Sequence, residues 1–251
     1  MRLDRGAVHL WYAVPDSIRD PGLLGDYEAL LLPDDERRYR AYRLERCRRE
    51  YLITRALVRC VLSEYQPVSP NEWRFRSNAY GRPEIDPPQG LRFNLSNCEG
   101  LVVCAVADRL AVGVDVEPHA RACAISSLAP RVFSRAELDG MSRLATAQAR
   151  EQRALSLWTL KESYVKARGV GLSLPLQSLS FALDDGGITL AADPPDDARD
   201  RWDFTVLDVG SCRVALTVER DARGSSTPGV WETIPLAGFK RRVMHPILLR
   251  T

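Results

Sequence analysis

The segment Val112-Gly113-Val114-Asp115-Val116-Glu117-Pro118 alternates with a period of two, which suits a strand and not a helix. Its valines fall on one face, and Gly113, Asp115 and Glu117 fall on the other. A fold that buries the valine face therefore sets two carboxylates roughly 6–7 Å apart on the opposite face of the same strand. Gly113 is expected to leave open space beside them. Oxygen ligands at this reach suit Mg²⁺, which takes one or two carboxylates and completes its shell with water and substrate phosphate. An exposed sheet face carrying two ordinary acids has the same pattern, so the strand alone does not decide.

A helix expected over about 150–168, stopped by Gly169 and Gly171, adds the second constraint. On a helical projection Leu157, Leu160, Tyr164 and Ala167 form an apolar face, widened by Trp158 and Val165, and Lys161 falls inside it. Burying an unpaired ammonium is costly, so Lys161 calls for an anionic partner. Glu162 and Lys166 form an i,i+4 pair at the edge of this sector, beside Trp158. The plainer alternative is a helix salt bridge with a snorkelling Lys161. Combined with Asp115 and Glu117, the helix instead points to a Mg²⁺–polyphosphate site. Composition adds weight here, because the chain has only three lysines, Lys161, Lys166 and Lys240, against 32 arginines.

Further strands are expected at 8–14, 91–96, 101–107, 111–117, 179–183, 188–191, 202–208 and 211–219, with 73–77 extended and 78–88 rich in turns. Helical periodicity over 34–65 places Ile53, Leu57, Val58, Val61 and Leu62 in one stripe, behind acids at 34–36. Ser134 and Glu137 have capping-box spacing. The tail 221–251 is expected to be irregular. Helices and mostly antiparallel strands occur twice, which predicts an α+β class with halves 1–109 and 110–220 followed by the extension 221–251.

With 251 residues, 45% of them hydrophobic, the chain can bury a sizeable core. A net charge of +2 argues against a general binder of nucleic acid or of a membrane surface. Nine arginines against three glutamates between 36 and 59 leave an arginine-rich nucleic-acid module as a rival reading, with a solvated helix face as the bland one. The longest apolar run, Leu101–Ala107, is far short of the roughly 20 residues that span a bilayer. No leader-like segment precedes the first strand, and the six cysteines contain no C-x-x-C pair, so the expected location is the cytoplasm. Asn94 and Ser96 share a strand face opposite Phe93 and Leu95, and Asn97-Cys98-Glu99-Gly100 is a polar turn able to offer donors to a phosphate. Gly81-Arg82-Pro83 puts a phosphate or base-edge donor on a stiff turn.

In this order and spacing, Phe93-Asn94-Leu95-Ser96, Gly113-Val114-Asp115-Val116-Glu117 and Trp158-Thr159-Leu160-Lys161-Glu162-Ser163-Tyr164-Val165-Lys166 resemble the 4′-phosphopantetheinyl transferases of the surfactin-synthetase-activating (Sfp) type. Gly81-Arg82-Pro83 and the segment 48–59 are similar to family segments too, and the resemblance runs over about residues 8–220. It implies two similar α+β halves arranged as a pseudo-dimer within a monomer. The implied activity moves the 4′-phosphopantetheine group of coenzyme A to a serine of an apo acyl or peptidyl carrier protein and releases adenosine 3′,5′-bisphosphate. Asp115 and Glu162 are implied ligands of Mg²⁺, with Mn²⁺ as the alternative ion, and Glu117 is a ligand directly or through water.

Lys166 is implied to contact phosphate and Lys161 to order the acidic cluster. Glu162, directly or through a water, is the implied base for the serine proton. Arg46, Arg82, Pro83, Ser96 and Asn97 are implied to hold the 3′-phosphoadenosine end, and neither nucleic acid nor membrane is a partner. The family commonly has histidine where this chain has Asn97, which can donate a hydrogen bond but carries no charge. That departure leaves, as the alternative, a catalytically weak member that only binds coenzyme A or carrier protein.

Overall fold

A computed structural model of the chain describes every residue except 2, 5, 185, 186, 193–198 and 222–226, and the side chains of 172, 191, 192 and 199 lie outside that description. In chain order the elements are β1 (Val8–Ala13), α1 (Pro21–Ala29), α2 (Pro33–Ala41), α3 (Glu45–Ser63), β2 (Phe75–Ser77), β3 (Pro83–Ile85), β4 (Leu91–Cys98), β5 (Leu101–Asp108) and β6 (Val112–Pro118). There follow α4 (Ala122–Ser127), α5 (Ala129–Val132), α6 (Arg135–Ser142), α7 (Ala147–Arg168), β7 (Ser180–Asp184) and β8 (Gly187–Ala192). The last five are β9 (Trp202–Val209), β10 (Cys212–Glu219), β11 (Gly229–Ile234), β12 (Phe239–Val243) and β13 (Ile247–Arg250). One sheet has the order β12-β11-β1-β5-β4 and the other β13-β9-β10-β6; β2-β3 and β7-β8 are separate ribbons. The class is α+β, with parallel pairing only between β1 and β11 among the described pairs.

The apolar run of β5 lacks a polar face because both of its faces are covered. Val102, Cys104 and Val106 join the core under α3 with Ile53, Leu57 and Val61. Leu101, Val103 and Ala105 turn the other way and meet Val112, Val114 and Val116 of β6. The two sheets thus pack face to face, as apolar sheet faces do. On the far side of the second sheet, Leu157, Leu160 and Tyr164 of α7 pack with Phe204, Val206 and Ala215. The layers run α3, sheet, sheet, α7, and the chain crosses from the first sheet to the second between β5 and β6.

Ser134 opens α6 with both bonds of the expected capping box. α7 begins at an N-cap, Thr146, whose hydroxyl accepts from Ala149, and ends at Gly169 in the left-handed region, φ 67°. The helical stretch 34–65 is divided by residues 42–44 into α2 and α3. Asp35 does more than start a helix, because it pairs at 2.8 Å with the fully buried Arg59.

The expectation of an irregular tail is wrong. β11 lies beside β1 and stacks Trp231 on Trp11 with ring centroids 5.4 Å apart, and β13 lies beside β9. These strands cover sheet edges whose backbone groups would otherwise lack partners. Of the Gly-, Ser- and Pro-containing run 224–229 that suggests an irregular tail, Gly224, Ser225 and Ser226 lie outside the described residues.

Candidate active site

β4 and β6 belong to different sheets, and side chains rather than a backbone ladder join them. Phe93 enters the α3 core, while its neighbours on the opposite face reach across to β6. Asn94 Oδ1 accepts from the Val114 amide at 2.9 Å, and Ser96 Oγ accepts from the Val116 amide at 3.3 Å. This seam sets Ser96 against Asp115, whose Oδ1 accepts the serine hydroxyl at 3.1 Å. Lys166 of α7 donates to the same Oδ1 at 2.7 Å and to Ser96 Oγ at 3.0 Å. The serine hydroxyl is thereby saturated, with one proton given and two bonds accepted. Asp115 Oδ2 is buried and has no hydrogen-bond partner.

Gly113 does not open space beside the carboxylates. A Cβ there would lie 2.0 Å from the Ser163 carbonyl oxygen and 2.3 Å from the Ala167 nitrogen, so the α7 backbone itself occupies the place. This close approach is what brings Glu162 and Lys166 to the acidic face of β6. Glu117, next along that face, accepts from Arg121 Nη1 at 2.7 and 2.6 Å and from Trp158 Nε1 at 2.9 Å.

Burial and then the charge of Asp115 hold the Glu117 carboxyl above the usual range, against the pull of Trp158 and Arg121. The same two causes, in the same order, raise Glu162, with Lys166 opposing. Both carboxyls therefore favour an added positive charge. A cleft of about 830 Å³ is walled by Ser96, Asn97, Asp115, Glu117, Arg121 and Lys166; Glu162 is not in its wall and stands behind it, beside Asp115 and Lys166.

Among the described residues no three Asp, Glu, His or Cys side chains form a ready-made metal site. Glu117 and Asp115 Oδ1 are instead turned to Arg121 and Lys166. The donor set still fits a hard divalent cation. It offers carboxylate oxygens, one of them buried without a partner, beside a cleft open to water, which is how Mg²⁺ is usually held.

Several residues expected at the site are elsewhere. Lys161 does not order the acidic cluster: its ammonium is fully buried, pairs with Glu137 Oε2 at 2.6 Å and donates to the carbonyls of Val132, Leu176 and Leu179. The anion it needed is the capping-box glutamate of α6. Arg82 is not free for phosphate: its Nη1 donates to the Lys166 and Ala167 carbonyls at 3.0 and 2.9 Å and its Nη2 to Val112 at 3.3 Å, which closes the end of α7. Pro83 starts β3, and with Arg82 it borders a separate hollow of about 40 Å³.

Arg46 pairs with Glu99 at the tip of the β4–β5 hairpin and borders a hollow of about 310 Å³; Glu99 lines both that hollow and the main cleft. Asn97 belongs to β4, not to a turn, and is exposed on the cleft wall. The basic stretch 36–59 is largely matched by acids. Arg37, Arg40, Arg46, Arg49, Arg55 and Arg59 all lie in ion pairs.

Neither partner of Glu117 is expected from the sequence: Arg121 has no role there, and Trp158 is placed only on the apolar side of the helix. The signal for Arg121 is its i,i+4 spacing from Glu117, hidden because the strand ends at Pro118 and Arg121 is the last residue of the three-residue turn His119–Arg121.

A sequence profile of the 4′-phosphopantetheinyl transferase superfamily matches residues 111–218. The 4′-phosphopantetheinyl transferase HetI of Nostoc sp. is 31% identical over 179 residues, 70% of this chain and 74% of that protein. A phosphopantetheinyl transferase of Thraustochytrium sp. is 30% identical over 239 residues, 88% of this chain and 82% of that protein. The 4′-phosphopantetheinyl transferase Sfp of Bacillus subtilis is 36% identical over 154 residues, 57% of this chain and 66% of that protein.

Proposed function

This chain belongs to the 4′-phosphopantetheinyl transferase superfamily, and from that membership we propose that its cleft moves 4′-phosphopantetheine from coenzyme A to a serine of an apo acyl or peptidyl carrier protein. Adenosine 3′,5′-bisphosphate is the leaving group. One observation carries the reading to these residues: Asp115, Glu117 and Glu162 gather with Lys166 at the seam of the two sheets, and Asp115 keeps one buried oxygen without a partner.

Asp115 through Oδ2, with Glu162 and Glu117, would hold Mg²⁺ or Mn²⁺. When bound, the ion neutralises the negative charge of the pyrophosphate. Lys166 adds a second positive charge and would orient the phosphate undergoing transfer. Its ammonium is held by Ser96 and Asp115, so it needs little reorganisation during the reaction. Glu162, directly or through a water, takes the serine proton as the oxygen–phosphorus bond forms and the bond to the bisphosphate breaks. Asn97 on the cleft wall, and Arg46 in the neighbouring hollow beyond Glu99, would hold the adenosine end.

One chain supplies both walls of the cleft, and all six cysteines are free thiols, which supports a single-subunit enzyme of the cytoplasm. No helix among the described residues is long and apolar enough to cross a membrane.

Incubation with apo carrier protein, coenzyme A and Mg²⁺ is expected to add about 340 Da to the carrier, the mass of one phosphopantetheine. A carrier of unchanged mass rejects the reading.

A further inference from the structure

We propose that Arg121 is the counter-ion that holds Glu117 until a divalent cation displaces it, and that the released guanidinium then engages the anionic substrate in the same cleft. The inference rests on the transferase reading and assigns a role to a residue that the reading does not use.

The geometry of the pair is unusual for arginine. One nitrogen, Nη1, lies 2.7 and 2.6 Å from the two oxygens of Glu117, so a single positive centre straddles the carboxylate instead of the guanidinium fork matching it edge to edge. That is the chelating position of this carboxylate. The two partners also differ in how firmly they are held. The Glu117 side chain is 9% exposed and fixed by Trp158, whereas the Arg121 side chain is 50% exposed and stands on a three-residue turn, His119–Arg121. Arginine is the partner free to leave, and an ion pair with a half-exposed member is cheap to break.

Charge decides the order of events. Asp115, Glu117 and Glu162 set against Lys166 and Arg121 give −3 + 2 = −1, a cluster that attracts a divalent cation and repels a pyrophosphate. A bound divalent ion raises the sum to +1, the sign that accepts the substrate. Arg121 lines the cleft, so a displaced guanidinium remains within it, where its planar fork suits phosphate oxygens. Metal first and substrate second then follows from electrostatics.

The test measures Mn²⁺ binding to the substrate-free protein, by the loss of the free-ion paramagnetic resonance signal, together with KM for coenzyme A. Arg121→Gln is expected to bind Mn²⁺ about fivefold more tightly, because a competing cation is gone, and to raise KM for coenzyme A about tenfold. Arg121→Lys restores the charge without the fork. It should return Mn²⁺ affinity to the wild-type value while leaving KM raised. A residue that merely braced the fold would weaken metal binding on removal, so the opposite signs of the two effects identify the role. Unchanged or weaker Mn²⁺ binding by Arg121→Gln overturns the inference while leaving the transferase reading intact. A wild-type protein that binds no Mn²⁺ overturns the metal reading and this inference with it.

Discussion

Two lysines five positions apart on α7 each sit against a buried carboxylate, and they are built to opposite specifications. Lys161 is closed. Its ammonium has four oxygen neighbours, and Glu137, beyond its bond to Lys161, accepts from the Ser134 and Phe181 amides. Burial pushes the Lys161 ammonium down and Glu137 opposes this. Lys166 is open: it is part-exposed on a cleft, bonds one oxygen of Asp115 and leaves the other with none. A buried charge pair with every donor and acceptor matched can only hold segments together, here α6, α7 and the strand β7. The same pair with an oxygen left over has capacity for a further positive charge. Completeness of the hydrogen-bond shell separates the two centres better than burial or charge does.

The contrast can be broken most sharply at Asp115. Asp115→Ala is expected to lower transfer by at least about a thousandfold, while thermal unfolding stays near the wild-type midpoint; a collapse in stability would move this centre into the structural class. Lys161→Met is the mirror experiment. It strands Glu137 without its cation and should cost about 3–5 kcal/mol in denaturant unfolding. The fraction that remains folded should keep its KM for coenzyme A, and a variant that is stable yet inactive contradicts the assignment.

Lys166→Ala is expected to reduce kcat/KM about a hundredfold with little change in unfolding. A fourth, smaller effect concerns pH. Glu117 and Glu162 have carboxyls raised above the ordinary 4.5, so the stability they contribute is present below 4.5 and lost as pH rises through the raised values. The metal-free protein should lose thermal stability across that window. The gain in melting temperature on adding Mg²⁺, which takes the ionised carboxylates, should grow over the same range. A gain independent of pH would separate the metal from these two glutamates. Lys240→Ala is expected to change least, about 0–1 kcal/mol, since its only described ion pair, with Glu64, lies at the surface.

Much of this was legible along the chain because it is periodic. The alternation of 112–118 puts Asp115 and Glu117 on one face, and the phase of α7 places Lys161 inside an apolar sector, so that its need for an anion can be read without a structure. Which anion is not periodic information. Glu137 reaches Lys161 only because α6 docks on α7, and the capping-box spacing that marks Glu137 says nothing of its other contact. Arg82 misled for a related reason. A stiff turn with an arginine fits a phosphate, but the end of α7 lies beside it and offers carbonyls first. The tail is expected to be irregular because its run of Gly, Ser, Thr and Pro at 224–229 resembles a loop, whereas the strands that follow need only a sheet edge to complete. Gly113 was read with the wrong sign, as room rather than contact.

That glycine works as a gauge block. The acidic strand and the helix bearing Glu162 and Lys166 rest backbone to backbone at residue 113, so the separation between the two halves of the site is set by a carbon atom that is absent. Any other residue there must lever α7 outward at one point, and the far arms of that lever carry the groups that meet the substrate. The smallest change to the chain at this position would therefore alter the spacing of the whole constellation without touching a single charged residue.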